Sequence, residues 1–204
     1  MQDEQTPGRP RGDRKWARTA ETRDSLLSAA RAVFLEHGYT EASIADIVEK
    51  SGSSVGSVYH HFGGKPELFA ALWEGYEQAT TEAAVNAVAQ ARRSGQTEPI
   101  ELFIAGARAY LELAWSKQGE AQLFSRADAP PGFDLLSGRD GREWIRQNAI
   151  LLDADESEME GRVTVAILTA VIDVGAREIS LLDSRKEALD LIEVTLSFVR
   201  RAAG

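Results

Sequence analysis

An all-α fold is predicted by three features of this 204-residue sequence. Apolar residues recur at helical spacing through nearly the whole chain. No stretch alternates with period two over enough residues to make a convincing strand. Short clusters of small and breaking residues separate the helical stretches: His37-Gly38, Ser51-Gly52, Gly63-Gly64, Ser94-Gly95 and Pro130-Pro131-Gly132.

The elements follow in order. Residues 1–17 hold Gln, Thr, Pro, Gly and Arg, cannot bury a core, and are expected to form a disordered basic arm. From Arg18 to Glu36, Leu26, Leu27, Ala30, Val33 and Phe34 lie on one helix face, and Gly38 stops the helix. Ser43 can cap a short second helix, with Asp46 as its capping-box partner and Ile44, Ile47 and Val48 as its buried face. A third short helix begins at Ser53 or Ser54, with Val55, Val58, Tyr59 and Phe62 facing inward in part. Lys65-Pro66 opens a long helix reaching about Arg93, since proline is tolerated in a first turn. Helices are expected over Pro99–Trp115, Glu120–Arg126, Gly141–Leu152 and Glu160–Leu182, with a last one capped by Asp183 or Ser184. The division into domains is 1–17 arm, 18–64 head and 65–204 body.

Composition narrows the function. There is no cysteine, so disulfides and thiolate metal sites are excluded, which fits a reducing cytoplasm. Residues 1–24 lack the apolar stretch of a signal peptide. The most apolar run, Val163–Ile172, falls well short of the roughly 20 residues a membrane span needs. The net charge of −9 is unevenly placed. Lys and Arg balance Asp and Glu over residues 1–65, so the whole deficit falls on residues 66–204. All three histidines, His37, His60 and His61, lie in the neutral part. Such asymmetry suits a working end attached to an acidic body.

Two short helices joined at Ser51-Gly52-Ser53 fit the helix-turn-helix plan, whose second helix enters the major groove of DNA. Its early residues, Ser53, Ser54, Gly56 and Ser57, are small and polar, so backbone can come close and hydroxyls can bond bases or phosphates. Tyr59, His60 and Lys65 supply donors for phosphates, and Lys65 stands at a helix N-terminus that itself favours an anion. The arm (Arg9, Arg11, Arg14, Lys15, Arg18) is either a solvated tail or a minor-groove contact.

Gly38-Tyr39, Ser43-Ile44-Ala45-Asp46-Ile47, Ser57-Val58-Tyr59-His60-His61-Phe62, Lys65 and Leu68-Phe69 resemble the head of the tetracycline-repressor (TetR) family over Arg18 to Ala70. The resemblance implies nine helices, three in the head and six in the body, and a homodimer joined by the last two helices as a four-helix bundle. It implies repression relieved by a small molecule. By position, Ser53, Ser57, Tyr59, His60 and Lys65 fall where the family touches DNA, with Ser43, Ser54 and Gly56 beside them, while Val58 and Phe62 fall in the core. The sequence departs from the family at Ala42, Val48, Gly52-Ser53-Ser54 and Gly64.

The body has no His or Cys, which removes the commonest general base, metal ligands and thiol nucleophile, so catalysis is not expected. No cofactor or metal is expected. The acidic run Asp153–Glu158 fails the calcium-loop template, with Glu158 at the glycine position and Thr164 at the final Glu position. The resemblance places a ligand pocket among the fourth to eighth helices, where Tyr76, Phe103, Tyr110, Phe124, Trp144 and Asn148 are candidates. Asp173 interrupts an apolar helix, either as a polar pocket group or as a pair across a dimer seam. That helix is apolar nearly all round in its first half, and the last helix has apolar positions beyond one face, Leu189 and Val194 among them, as a four-helix dimer seam would require.

The expected protein is thus a cytoplasmic, homodimeric transcriptional regulator that binds a near-palindromic duplex operator and is released from it by a small effector, with no membrane partner. Two other readings stand beside it: a helical enzyme or binding module with a vestigial head, and a ligand-independent regulator controlled by a protein partner.

Overall fold

The computed structural model describes the backbone of residues 11–203 and the side chains of residues 19–203. Every regular element among them is a helix: α1 (Arg11–Glu41), α2 (Ile44–Ser51), α3 (Val55–His61), α4 (Lys65–Arg93), α5 (Pro99–Ser116), α6 (Gln118–Ser125), α7 (Phe133–Leu151), α8 (Met159–Ser180) and α9 (Arg185–Ala202). The chain forms two compact units that divide within α4, between Leu72 and Trp73. Residues 1–10, including Arg9 of the arm, lie outside the described residues, as do the side chains of Arg11, Arg14, Lys15 and Arg18; α1 takes in residues 11–17.

In the first unit, α1 bends at Gly38 (φ 79°, ψ 177°), a backbone region that glycine alone adopts freely. The core joins Leu26, Ala30, Val33 and Phe34 of α1 to Ile47, Val58, Leu68 and Phe69. Phe34, Tyr39 and Phe69 form an aromatic triangle with ring centroids 5.3–5.9 Å apart. Burying each such side chain contributes about 1.5–3 kcal/mol. Ser43 caps α2, and the reciprocal bond from the Ser43 N–H to Asp46 Oδ2 (3.1 Å) completes the capping box. Gly52, left-handed at φ 65°, ends α2, and Ser54 caps α3 by accepting from the Ser57 N–H at 3.1 Å. The Ser25 hydroxyl donates to the Ser51 carbonyl at 3.1 Å and pins α1 to the turn.

The second unit is built on α5, α8 and α9. Phe103, Ile104, Leu111, Leu168, Ile172 and Ile192 are central to its core. Asn148 Nδ2 donates to Thr169 Oγ1 at 3.0 Å, a buried bond that ties α7 to α8. Arg108 pairs with Glu193, and Arg200 donates two bonds to Glu101 at 3.2 Å each, so α5 is fastened to α9 at two levels. Helix α7 begins at Phe133, eight residues before the Gly141 start that the sequence pattern suggests. Gly138 and Gly141 weaken the local helical signal, but Phe133 is buried edge-on to Trp73 (5.3 Å) and stacked with Phe124 (6.3 Å), and packing holds the first turns.

Candidate DNA-binding face and body cavities

Helix α3 turns Val58 fully inward and leaves Val55 49% and Tyr59 57% exposed, beside exposed Gly56 and His60. Val55 does not face the core as its spacing suggests; it stands at the start of α3 where a methyl group could meet a thymine methyl. Sequence reasoning passed over it because an isolated valine in a short helix reads as core. Nothing within the protein calls for glycine at 56: a Cβ there would meet only Ser54 Oγ, at 3.8 Å. Glycine inside a helix costs about 1 kcal/mol relative to alanine, and here it leaves the backbone of α3 open to approach from outside.

The serines divide. Ser54 and Ser57 hydroxyls bond each other at 2.9 Å while Ser54 caps the helix. Ser43 Oγ donates to Asp46 Oδ2 at 2.7 Å, and these bonds hold the Asp46 carboxyl below its ordinary range. Ser53 follows the turn, its N–H bonded to Ser51 Oγ at 3.2 Å. Phe62 is half-buried, with the Arg23 guanidinium 5.1 Å above its ring.

Lys65 departs most from expectation. Its ammonium donates to the carbonyls of Tyr39 (2.8 Å), Thr40 (3.2 Å) and Ala42 (2.8 Å) and lies 4.4 Å from the centroid of the Tyr39 ring. All three N–H donors are thereby used inside the head, closing the end of α1. A phosphate donor at this residue would have to come from elsewhere than the side chain.

Among the cavities of the body, two are lined by the candidate residues. The larger, about 530 Å³, is mostly apolar and has Val85, Val88, Phe103, Trp144, Asn148 and Leu151 on its wall. The smaller, about 260 Å³, has Tyr76, Glu77, Tyr110, Phe124, Trp144 and Asp173. All seven ligand candidates from the sequence therefore lie on a cavity wall, though not on the same one. Glu77 was missed, because a glutamate in a long helix reads as a solvated one.

Burial raises Glu77 to about 7, with Asp140 and Asp173 adding to the shift. Burial likewise raises Asp173 to about 6 against the opposing charge of Arg177, although the carboxylate opens onto the cavity and keeps much of its accessible surface. Burial, reinforced by these carboxylates, pushes both Tyr76 and Tyr110 well above the ordinary tyrosine range. For Glu77 the folded value, about 7, exceeds the unfolded one of 4.5, so folding takes up a proton between those pH values. Glu77→Gln should therefore stabilise the protein above pH 7 by about 2 kcal/mol, with the gain disappearing below pH 4.5. Thermal unfolding of both proteins across this range measures the difference; an equal gain at all pH values would refute the assignment.

An exposed α3 on a tight three-helix head, followed by a helical body with internal cavities, defines a helix-turn-helix protein with a separate helical domain. Residues 26–72 match the bacterial regulatory proteins of the tetR family. Over 51 residues the chain is 45% identical to the HTH-type transcriptional repressor AcnR of Corynebacterium efficiens, covering 25% of this chain and 27% of that protein. Over 54 residues it is 35% identical to the HTH-type transcriptional regulator AcrR of Shigella flexneri, covering 26% and 25%. These matches span about a quarter of each relative's length. Across the whole fold, a TetR-family transcriptional regulator structure from Syntrophomonas wolfei has a TM-score of 0.72 at 19% identity, covering 90% of this chain and 95% of that one. The fatty acid degradation regulator FadR of Bacillus halodurans has a TM-score of 0.66 at 14% identity, covering 86% and 96%. Residues 26–72 are similar to the tetR family's DNA-binding head, and the overall fold is the one these solved structures share.

Proposed function

We propose that the protein is a DNA-binding transcriptional repressor, released from its operator by a small molecule held in the body, and that it acts as a homodimer in the cytoplasm. The outward face of α3 carries the reading: Val55, Gly56, Tyr59 and His60 are presented together on a head of tetR type. Ser53 stands at the turn for a base or phosphate, while Ser43, Ser54, Ser57 and Lys65 act by fixing the helices that present this face. The relatives' names describe repressors and regulators.

The dimer is supported by apolar surface on the last two helices. Ile167 and Val174 of α8 and Val194 and Phe198 of α9 are each about half exposed and line one shallow groove. A two-fold axis would bring this patch against its own copy and bury both. The heads of such a dimer would read half-sites about 34 Å apart on a near-palindromic operator. Cavities in the body favour a small effector over control by a protein partner alone, and the head of tetR type favours a regulator over an enzyme.

Selection of bound duplexes from a random pool, by the full-length protein at low salt, tests the reading. A near-palindromic sequence should be enriched, and Tyr59→Ala with His60→Ala should lower affinity for it by about tenfold or more. No enrichment at low salt would overturn it.

A further inference from the structure

The two cavities differ in chemistry as well as size, and the smaller one holds charge that the protein itself does not neutralise. Glu77 and Asp173 both line it, and neither carboxylate has a hydrogen bond or ion pair among the described residues. The hydroxyls of Tyr76 and Tyr110 likewise have no hydrogen-bond partner there, although Tyr76 is only 6% exposed. No fully buried polar side-chain atom lacks a partner among the described residues, so the Tyr76 and Tyr110 hydroxyls keep accessible surface where they line the cavity.

The charged groups around this space come from four helices, and the mostly buried Glu120 of α6 is close enough to raise Tyr76. Glu77 lies on α4 and Asp173 and Arg177 on α8, all on the wall. From α7, Asp140 accepts from Trp73 Nε1 at 2.9 Å and is paired with Arg139 at 3.2 Å, so its charge is already met. When both carboxylates are ionised, Arg177 offsets one of them and the wall keeps one uncompensated negative charge. An unpaired carboxylate is costly where it is partly shielded from water, as at half-buried Glu77. The aromatic rings do not offset this, because a ring face is itself negative; the same faces attract a cation. Trp144 is the one residue on the walls of both cavities.

Resting on the reading of the body as an effector sensor, we propose that the smaller cavity receives the ammonium head of an organic cation. The Glu77 and Asp173 carboxylates and the rings of Tyr76, Tyr110 and Trp144 hold the head, and the larger, mostly apolar cavity that shares Trp144 takes a hydrocarbon tail. The ligand class is thus an amphipathic amine or quaternary ammonium compound. Arg177 on the smaller wall and Arg92 and Arg93 on the larger would favour an anion, and an anionic probe measures their weight.

The test uses full-length protein with three probes of equal chain length, each below its micelle-forming concentration: decyltrimethylammonium, decanol and decanoate. Binding is followed by tryptophan fluorescence, since Trp73 and Trp144 both line the site, and by calorimetry. The cation should bind about tenfold or more tightly than decanol, with decanoate weakest. Glu77→Gln and Asp173→Asn should each weaken cation binding about tenfold in variants that still unfold cooperatively. At pH 6.5, binding should also release protons, because a cation draws both carboxyls to their ionised form. Decanoate or decanol binding as tightly as the cation, or unaltered cation affinity in both variants, would overturn the proposal. Duplex release separates it from the regulator reading. Tight cation binding that leaves affinity for the selected duplex unchanged keeps the cavity assignment and sinks the effector role. Release by decanoate without cation binding keeps the regulator and sinks the ligand class.

Discussion

Lys65→Met is expected to destabilise the head by about 2–4 kcal/mol, more than any other single exposed or half-exposed polar change in it. Methionine keeps most of the stem but removes three charge-assisted bonds, to the carbonyls of Tyr39, Thr40 and Ala42. Tyr39 and Ala42 are buried, at 8% and 3% exposure, so water cannot easily replace the donors their carbonyls lose. The contact over the Tyr39 ring goes as well. A small unit has little stability to spare, so a loss of this size populates unfolded heads. DNA affinity should then fall in parallel at all salt concentrations, leaving the slope of log affinity against log salt unchanged. A phosphate contact by the ammonium would instead make that slope shallower by about one charge. Thermal unfolding together with duplex titration between low and moderate salt distinguishes the two. A stable variant with a shallower slope would show that the ammonium leaves α1 to reach DNA.

Gly175→Ala should destabilise the body by about 1–3 kcal/mol, although alanine is the better helix former. A Cβ at this position would stand 2.6 Å from Thr195 Cγ2 and 2.8 Å from Thr195 Oγ1. Thr195 has no easy retreat: it is β-branched, 5% exposed, and its hydroxyl donates to the Leu191 carbonyl at 2.8 Å. The strain therefore passes to the α8–α9 spacing. Thr195→Ala alone should also destabilise, by leaving a void against Gly175. The double variant should recover much of the loss, since the new methyl occupies that void; the Thr195 Cβ itself, at 3.3 Å, keeps the fit tight. A coupling of at least about 1 kcal/mol is expected from a double-mutant cycle measured at fixed protein concentration. Additive effects, or a Gly175→Ala protein as stable as the parent, would contradict this packing.

The parts of the fold legible in the sequence are those fixed by near neighbours. The Ser43 and Asp46 capping box, the Gly52 stop and the long apolar α8 all depend on residues a few positions apart, and each is present in the structure. The start of α7 was not legible, because Phe133 is held by Trp73 and Phe124 from other helices and its own first turns contain two glycines. Lys65 illustrates the same limit more sharply. Its charge and its place at a helix start suggest an anion, while the three carbonyls it serves lie 23–26 positions earlier in the chain. Aromatics on the inner faces of α4, α5 and α7 are visible as candidate cavity linings, but whether Glu77 and Asp173 find partners inside the body depends on what α6, α7 and α8 bring to them.

The first two turns of α4 decide where this protein could be cut and rejoined. Leu68 and Phe69 are fully buried in the first unit, and Phe69 completes the aromatic triangle with Phe34 and Tyr39. A head severed at residue 64 would lose its lysine clasp and two of its largest core side chains together. The transplantable module, in an exchange of operator specificity between related regulators, accordingly ends at Leu72. The boundary between the two units thus runs through the early part of α4, so in a chimera that helix must continue without a slip in phase across the join.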